Sequence, residues 1–309
     1  MKKDIEKINE NIKLAFDYQD HDGWKDNSAR YLDYFKGRYY PSATQTEKYV
    51  INTVFNFVNL IVPNLFFREP FIRVKPRTKY IAKKSSDGTL MTPTWRSAML
   101  MESVLNKTLS DIRFEDEVRK CVQDCMFYGF AVLKLGYGIE TESAPDIESP
   151  ENPDDTQRIR EEGIFAMRVS PLDYGFDPAA TSPDDARFEI HRIVKPKDEV
   201  KDNENYKNTD DIPDEVPEEF KARLKNKEDV SGDFVTIYEY HDHMKNRIYT
   251  LYKGAKKFMR DAGNPHDFKG SHFIVLKLAG DNDSFRGIPM IGMIEDEAVA
   301  MNETVTKMI

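Results

Sequence analysis

The stretch Phe114-Glu-Asp-Glu-Val-Arg-Lys-Cys-Val-Gln-Asp-Cys-Met-Phe-Tyr-Gly-Phe-Ala-Val-Leu-Lys-Leu-Gly-Tyr137 changes character halfway through. Val118, Cys121, Val122 and Cys125 recur every three to four residues, which predicts a helix from Glu115 to Tyr128 with these side chains in a core. Gly129 stands just past the last turn, where a residue without Cβ closes a helix most readily. Ala131 to Tyr137 then reads as a strand. The expected fold is α+β, with N-terminal helices, mixed or antiparallel strands after this junction and a C-terminal helix.

Upstream, Ile5, Ile8, Ile12 and Phe16 share a helical face over residues 4–20. Trp24, Tyr31, Tyr34 and Phe35 do the same over 24–37. A third helix is expected from about Thr46 to Phe67, with Pro63 bending it or ending its regular part, because the ring removes an amide donor. Phe71 to Lys75 alternates apolar and basic residues, the period of a half-buried strand. Residues 78–93 read as a loop carrying the turn Ser85-Ser-Asp-Gly88, and Thr94 as the N-cap of a helix running to about Ile112.

Downstream, residues 139–162 carry nine carboxylates against two arginines, with Pro and Ser among them, and predict a solvated acidic linker. Strands are expected at Ile164–Val169 and Arg187–Val194. A charged insert is expected over 195–230, with a short helix near Pro217–Lys225. A hairpin of Phe234–Tyr240 with Arg247–Lys253 and a strand at Phe273–Leu278 follow. From Pro289 onward Met290, Ile294, Glu297, Met301 and Val305 return to helical spacing, and no capping residue follows before Ile309. The expected divisions are a helical segment 1–45, a helical core with short strands 46–138, the linker 139–162, a mostly β part 163–288, and the start of a truncated helix 289–309.

The chain has 309 residues, enough for one large or two ordinary domains, with 39% apolar, 32% charged and 12% aromatic residues. That composition excludes wholesale disorder. A net charge of -9 argues against a surface built to grip phosphates. The longest apolar run, Val54 to Phe67, is broken by Asn and Pro and is too short to span a bilayer. Met1-Lys-Lys-Asp-Ile-Glu-Lys is charged, unlike a signal peptide. Two cysteines four residues apart, with no second pair, read as buried thiols in a reducing compartment rather than half of a metal site.

Candidate chemistry is sparse. Glu239, His241 and His243 alternate on a strand, as ligands of a metal-dependent hydrolase would; the plainer reading is a strand entering the polar turn Asp242-His-Met-Lys-Asn-Arg247. Asp173, Asp177, Asp184 and Asp185 would suit a two-carboxylate site, yet Asp near Pro and Gly organises turns. Gly129, Gly136 and Gly138 match no phosphate-binding loop, and no GxSxG is present. Arg73, Lys75, Arg77, Lys79, Lys83 and Lys84 form the positive stretch, able to touch DNA or an acidic partner. Met290, Met293, Met301 and Met308 suit packing, within the chain or between subunits.

Six segments in order carry a resemblance. They are the Asn-spaced apolar helix Asn52–Phe67 with Pro70-Phe-Ile-Arg-Val-Lys-Pro76, then Phe127-Tyr-Gly-Phe-Ala-Val-Leu-Lys134, then Val169-Ser-Pro-Leu-Asp173 with Phe176-Asp-Pro-Ala-Ala180. Arg187-Phe-Glu-Ile-His-Arg192, Val235-Thr-Ile-Tyr-Glu-Tyr240 and Asp283-Ser-Phe-Arg-Gly-Ile-Pro289 complete the set. Over roughly 46–309 this order resembles the wing region of the portal proteins of tailed bacteriophages, followed by the start of the stem. The clip, the return stem helix, the channel loop and the crown have no counterpart here.

The resemblance implies a non-enzymatic protein without cofactor or metal, a ring usually of twelve copies of itself. Such a ring sits at the capsid vertex of the virion after assembly in the host bacterial cytoplasm. Its implied partners are major capsid and scaffold proteins, the terminase large subunit, head-completion or adaptor proteins, and double-stranded DNA passing through, with no membrane. Stem or subunit contacts would fall on Met290, Met293, Ile294, Glu297, Met301 and Val305. A prophage remnant that folds without forming a ring is the other alternative.

Overall fold

Phe114–Tyr128 is a helix, α5, with Cys121, Val122 and Cys125 buried. It sits in a computed structural model that describes residues 2–40, 48–65, 70–76, 93–144, 156–213, 234–265 and 270–308. Gly129 closes α5 at φ +82°, its N–H donating to the Cys125 carbonyl at 3.2 Å. A Cβ at Gly129 would lie 2.2 Å from the Gly287 carbonyl oxygen. The chain ahead of the last helix therefore crosses the end of α5 glycine against glycine, a contact other residues would block.

The helices before α5 are α1 (Lys2–Asp17), α2 (Trp24–Phe35), α3 (Thr53–Leu65) and α4 (Pro93–Asp111). The strands are β1 (Ala131–Ala144), β2 (Thr156–Val169), β3 (Tyr174–Phe176), β4 (Phe188–Pro196), β5 (Phe234–Asp242), β6 (Arg247–Tyr252), β7 (Arg260–Gly263) and β8 (Phe273–Leu276). The short α6 (Lys197–Lys201) follows β4, and α7 (Glu295–Met308) ends the described chain. Among the described residues all strand pairs are antiparallel, in a three-stranded sheet ordered β2-β1-β8 and a five-stranded sheet ordered β3-β4-β5-β6-β7. The protein is α+β, as the sequence predicts.

Each element buries the face its spacing prepares. Ile5, Ile8, Ile12 and Ala15 of α1 pack on Phe188, Ile190, Tyr238 and Tyr240 of the five-stranded sheet. Burying each isoleucine contributes about 2 kcal/mol. The main core gathers Trp24, Tyr31 and Tyr34 from α2, Val54 and Val58 from α3, Met126 and Phe127 from α5, and Phe130, Tyr174, Phe176 and Phe285 around them. Trp24 donates its indole N–H to the Tyr128 carbonyl at 2.9 Å, so its polar end is satisfied. Phe176 and Phe285 stack 3.8 Å apart. The Arg286 guanidinium lies 4.3 Å from the Trp24 ring centroid and 4.7 Å from that of Tyr18.

Several expectations are corrected. The third helix starts at Thr53, not Thr46, because Tyr49–Asn52 is spent on other bonds. The Tyr49 and Ile51 N–H groups donate to Thr306 and Asn302 on α7, at 3.2 and 2.6 Å, and Asn52 accepts from Phe55 N–H at 3.0 Å as a cap. Helix α4 starts at Pro93, so Thr94 lies within it, and proline takes the first turn, where its missing donor costs nothing. Residues 70–76 are extended but join no sheet. Their partners are side chains of α4: Asn106 accepts from Ile72 N–H at 2.9 Å and donates to Ile72 O at 2.8 Å, and Glu102 accepts from Val74 N–H at 2.9 Å.

The acidic linker is corrected at both ends, since β1 runs on to Ala144 and β2 begins at Thr156; residues 145–155 lie outside the described residues. Composition reports on solvation, whereas a ladder is made by backbone groups. Here Thr141 is registered against Ile159 and Glu142 against Arg158. The front of the charged insert is likewise structured: Val200 and Ile212 are buried with Val235, Ile237 and Met259. Strands β3 and β7, of three and four residues, have no counterpart among the expectations. The expected turn at 85–88 and helix at 217–225 lie outside the described residues.

Candidate functional site

Strand alternation places Glu189 and His191 on one face of β4, and Glu239 and His241 on the matching face of β5, with Glu189 registered to His241 and His191 to Glu239. Phe188 and Ile190 take the opposite face under α1. The polar face looks toward the three-stranded sheet. From β1, Lys134 donates to both Glu239 oxygens at 2.9 and 2.8 Å, and His241 Nε2 lies 2.8 Å from Glu239 Oε1. Glu189 is fully buried and accepts from the Tyr174 and Ser271 hydroxyls, while His243 Nε2 lies 2.7 Å from it. His272 packs its ring 5.2 Å from that of His241.

Burial sets the electrostatics. At Glu239 desolvation raises the carboxyl, but hydrogen bonds from His241 and Lys134 and their charges overcome it and hold it well below the ordinary carboxylate range. Desolvation, with the Lys134 charge, pulls His191 down to about 4. Tyr174 is pushed well above its ordinary value by burial and by the Glu189 charge.

This cluster joins two sheets rather than opening onto a substrate. Both carboxylates are engaged by internal donors, and the cavity beside His241, His243 and His272 measures about 10 Å³, room for one water at most. Among the described residues, no group of three or more His, Cys, Asp or Glu side chains is placed to hold a metal ion. Sequence reasoning singled out Glu239, His241 and His243 but missed Lys134, Tyr174, Glu189, His191, Ser271 and His272. These come from separate strands and loops; the pairing of Glu189-x-His191 with Glu239-x-His241 was the one signal available.

The aspartates serve turns and ion pairs. Asp177 is buried, pairs with Arg187 and accepts from Ala179 N–H at 3.1 Å; Asp173 pairs with Arg192 at 2.8 Å. Asp185 accepts from the Thr181 and Ser182 N–H groups at 3.1 and 2.8 Å, and Asp184 is exposed. Cys121 and Cys125 are buried, and desolvation, with the Asp124 charge, pushes both thiols to about 12, far from thiolate chemistry. Gly136 leaves room for the ring of Phe165, its registered neighbour.

On the last helix and the 3-10 turn that leads into it, the residues that dock are Ile291, Ala298 and Asn302, with Met290, Ile294 and Val299 packed partly against the core. Arg30 grips Glu295 through two hydrogen bonds, at 2.7 and 3.2 Å. Met293, Glu297 and Met301 face outward, and Val305 is half-buried. Arg73 and Lys75 are exposed, whereas Arg77, Lys79, Lys83 and Lys84 lie outside the described residues.

The surface holds a second candidate. Helices α3 and α4 both pack on α5, yet Phe55, Leu60 and Leu65 of α3 and Trp95, Met99, Leu100, Met101 and Val104 of α4 are exposed, Leu100 at 67%. So many large apolar side chains exposed on two helices that pack on the same partner helix point to interaction surfaces. No helix among the described residues is long and apolar enough to cross a membrane. No family model matches the chain, and no curated protein shows a significant match to it.

Proposed function

We propose that the chain is a portal-type ring subunit of a tailed phage, an architectural part that performs no chemistry. On this reading copies assemble at the capsid vertex into a conduit for DNA packaging and ejection. The ring docks the terminase motor, head-completion proteins, and capsid and scaffold proteins. The observation that carries the reading is the exposed apolar surface of α3 and α4, which a lone subunit leaves in water and a neighbour would cover. The ordered segments that resemble portal wings support it, as do the two interior carboxylates, Glu239 and Glu189, which are engaged by Lys134, His241, Tyr174 and Ser271 of the same chain. Ring closure requires a heterologous contact, with one patch of each copy meeting a different patch of the next.

Purified full-length chain is expected to show closed rings by negative-stain electron microscopy and a mass of many protomers by sedimentation velocity. A single-protomer mass at the highest attainable concentration would sink this reading and leave a folded prophage remnant. Stoichiometric, tightly bound zinc or manganese would restore the hydrolase alternative.

A further inference from the structure

The five-stranded sheet ends in the short strand β7, and no strand among the described residues pairs with its outer side. Such an edge presents the N–H and C=O groups of alternate residues to whatever lies beside it. Residues 205–208 meet the chain just before β7. The Lys207 N–H donates to the Met259 carbonyl at 2.8 Å, and the Asn208 side-chain amide to the Phe258 carbonyl at 2.8 Å. Asn208 takes φ +58°, a left-handed conformation that asparagine tolerates, and the chain bends at this point of contact. Between 205–208 and 257–262 lies a cavity of about 590 Å³, the size of a ligand site. Lys207, Lys257 and Arg260 line it, all of them exposed. None of the three pairs with a carboxylate among the described residues. The carboxylate in the lining, Asp261, is taken by Arg247 at 2.9 and 2.6 Å. A chain with 54 acidic against 45 basic residues thus gathers uncompensated positive charge in one cleft.

The chemistry of the cleft selects its ligand. Three unpaired cations favour an anion. Phe258, the aromatic side chain in the lining, is only 9% exposed, so no ring face is open for a nucleobase to stack on. Like charges brought face to face disfavour a second copy of the same edge. We infer that the cleft along β7 binds an extended acidic segment of another protein, which adds a strand beyond β7. Main-chain pairing supplies the geometry, and Lys207, Lys257 and Arg260 supply the choice of partner. The contact stands whether or not copies close into a ring.

Fluorescence anisotropy of the full chain with a short labelled peptide alternating Glu and Thr tests it. The peptide is expected to bind saturably, and a peptide alternating Lys and Thr to show no binding. Lys207→Glu with Lys257→Glu and Arg260→Glu is expected to weaken binding at least about tenfold. All three side chains are exposed, so this variant is expected to melt with the parent. Two further peptides, N-methylated at every Glu or at every Thr, keep the carboxylates but lose alternate amide donors. At least one of them is expected to bind about tenfold more weakly, because one set of donors faces β7. Equal affinity for parent and triple variant would overturn the inference, as would equal affinity for all three acidic peptides, which would leave charge attraction without strand pairing. Sodium triphosphate that binds more tightly than the peptide and displaces it would make this a phosphate site instead. Self-association of the parent, lost in the triple variant by sedimentation velocity, would make a second copy the occupant and overturn the inference too.

Discussion

At the residue scale, Lys134 and Glu239 form the polar bolt between the two sheets, and their side chains are only 12% and 20% exposed. A largely buried pair contributes little compared with a well-packed apolar pair, but removing one partner strands the other charge. Lys134→Met is therefore expected to destabilise the fold by about 3–5 kcal/mol in urea titration, and Lys134→Met with Glu239→Met to recover most of that loss. A single variant within about 0.5 kcal/mol of the parent would show that water, not Lys134, solvates Glu239. His191 governs acid sensitivity by a different route. It is buried, faced by Lys134, Glu239 and His241, and held down to about 4, so the folded state keeps it neutral where the unfolded chain protonates it near 6.5. The unfolded state then binds more protons, and stability falls as pH drops from about 6.5 toward 4, at about 1.4 kcal/mol per pH unit for this imidazole. Glu239, held below its ordinary value, adds a further loss below about 4.5. His191→Phe is expected to flatten the upper part of that curve; thermal melts from pH 7.5 to 4 that stay parallel for both proteins would refute the assignment.

At the scale of elements, what was legible followed from period. The α5–Gly129–β1 junction, the amphipathic α1 and α2, and the β5–β6 hairpin all carry spacings that only one conformation satisfies. What was not legible depended on partners far along the chain. Tyr49–Asn52 reads as helix until Asn302, about 250 positions later, takes its amide donor. Pro70–Pro76 reads as a sheet strand, and its period is right, but its ladder is built from Asn106 and Glu102 side chains, which no local pattern announces. The hairpin beyond Gly138 was masked by its charge, because carboxylates describe how a segment meets water and not whether its backbone pairs. The polar cluster was half visible: alternation exposed Glu239, His241 and His243, while Lys134, Tyr174 and Glu189 reach them only once two sheets have packed. Over the last turn and α7, the stripe of Met290, Ile294, Glu297, Met301 and Val305 divides: Met290 and Ile294 pack partly against the core, Glu297 and Met301 face outward, and the fully docked residues are Ile291, Ala298 and Asn302.

At the scale of the whole molecule, charge and surface divide the labour. The apolar faces of α3 and α4 are suited to neighbours, while the excess of 54 acidic over 45 basic residues sets how the protein meets a polyanion. On the portal reading, a conduit must let duplex DNA move through it, and each lysine or arginine that neutralises a phosphate releases a counterion and adds affinity that motion has to undo. With a net charge of -9 the chain as a whole is repelled by a polyanion, and the exposed Arg73 and Lys75 supply few phosphate contacts. Fluorescence anisotropy with a labelled duplex at roughly 0.15 M salt is therefore expected to show binding weaker than about 10⁻⁴ M. Lowering the salt should tighten it only modestly, because few phosphates are neutralised and the slope of log K against log salt follows their number. Arg73→Glu with Lys75→Glu should leave that weak affinity unchanged. Micromolar binding with a steep salt slope, lost in the same variant, would make these two residues a DNA grip. The conduit would then work by holding its cargo, and the acidic balance of the chain would need a different explanation.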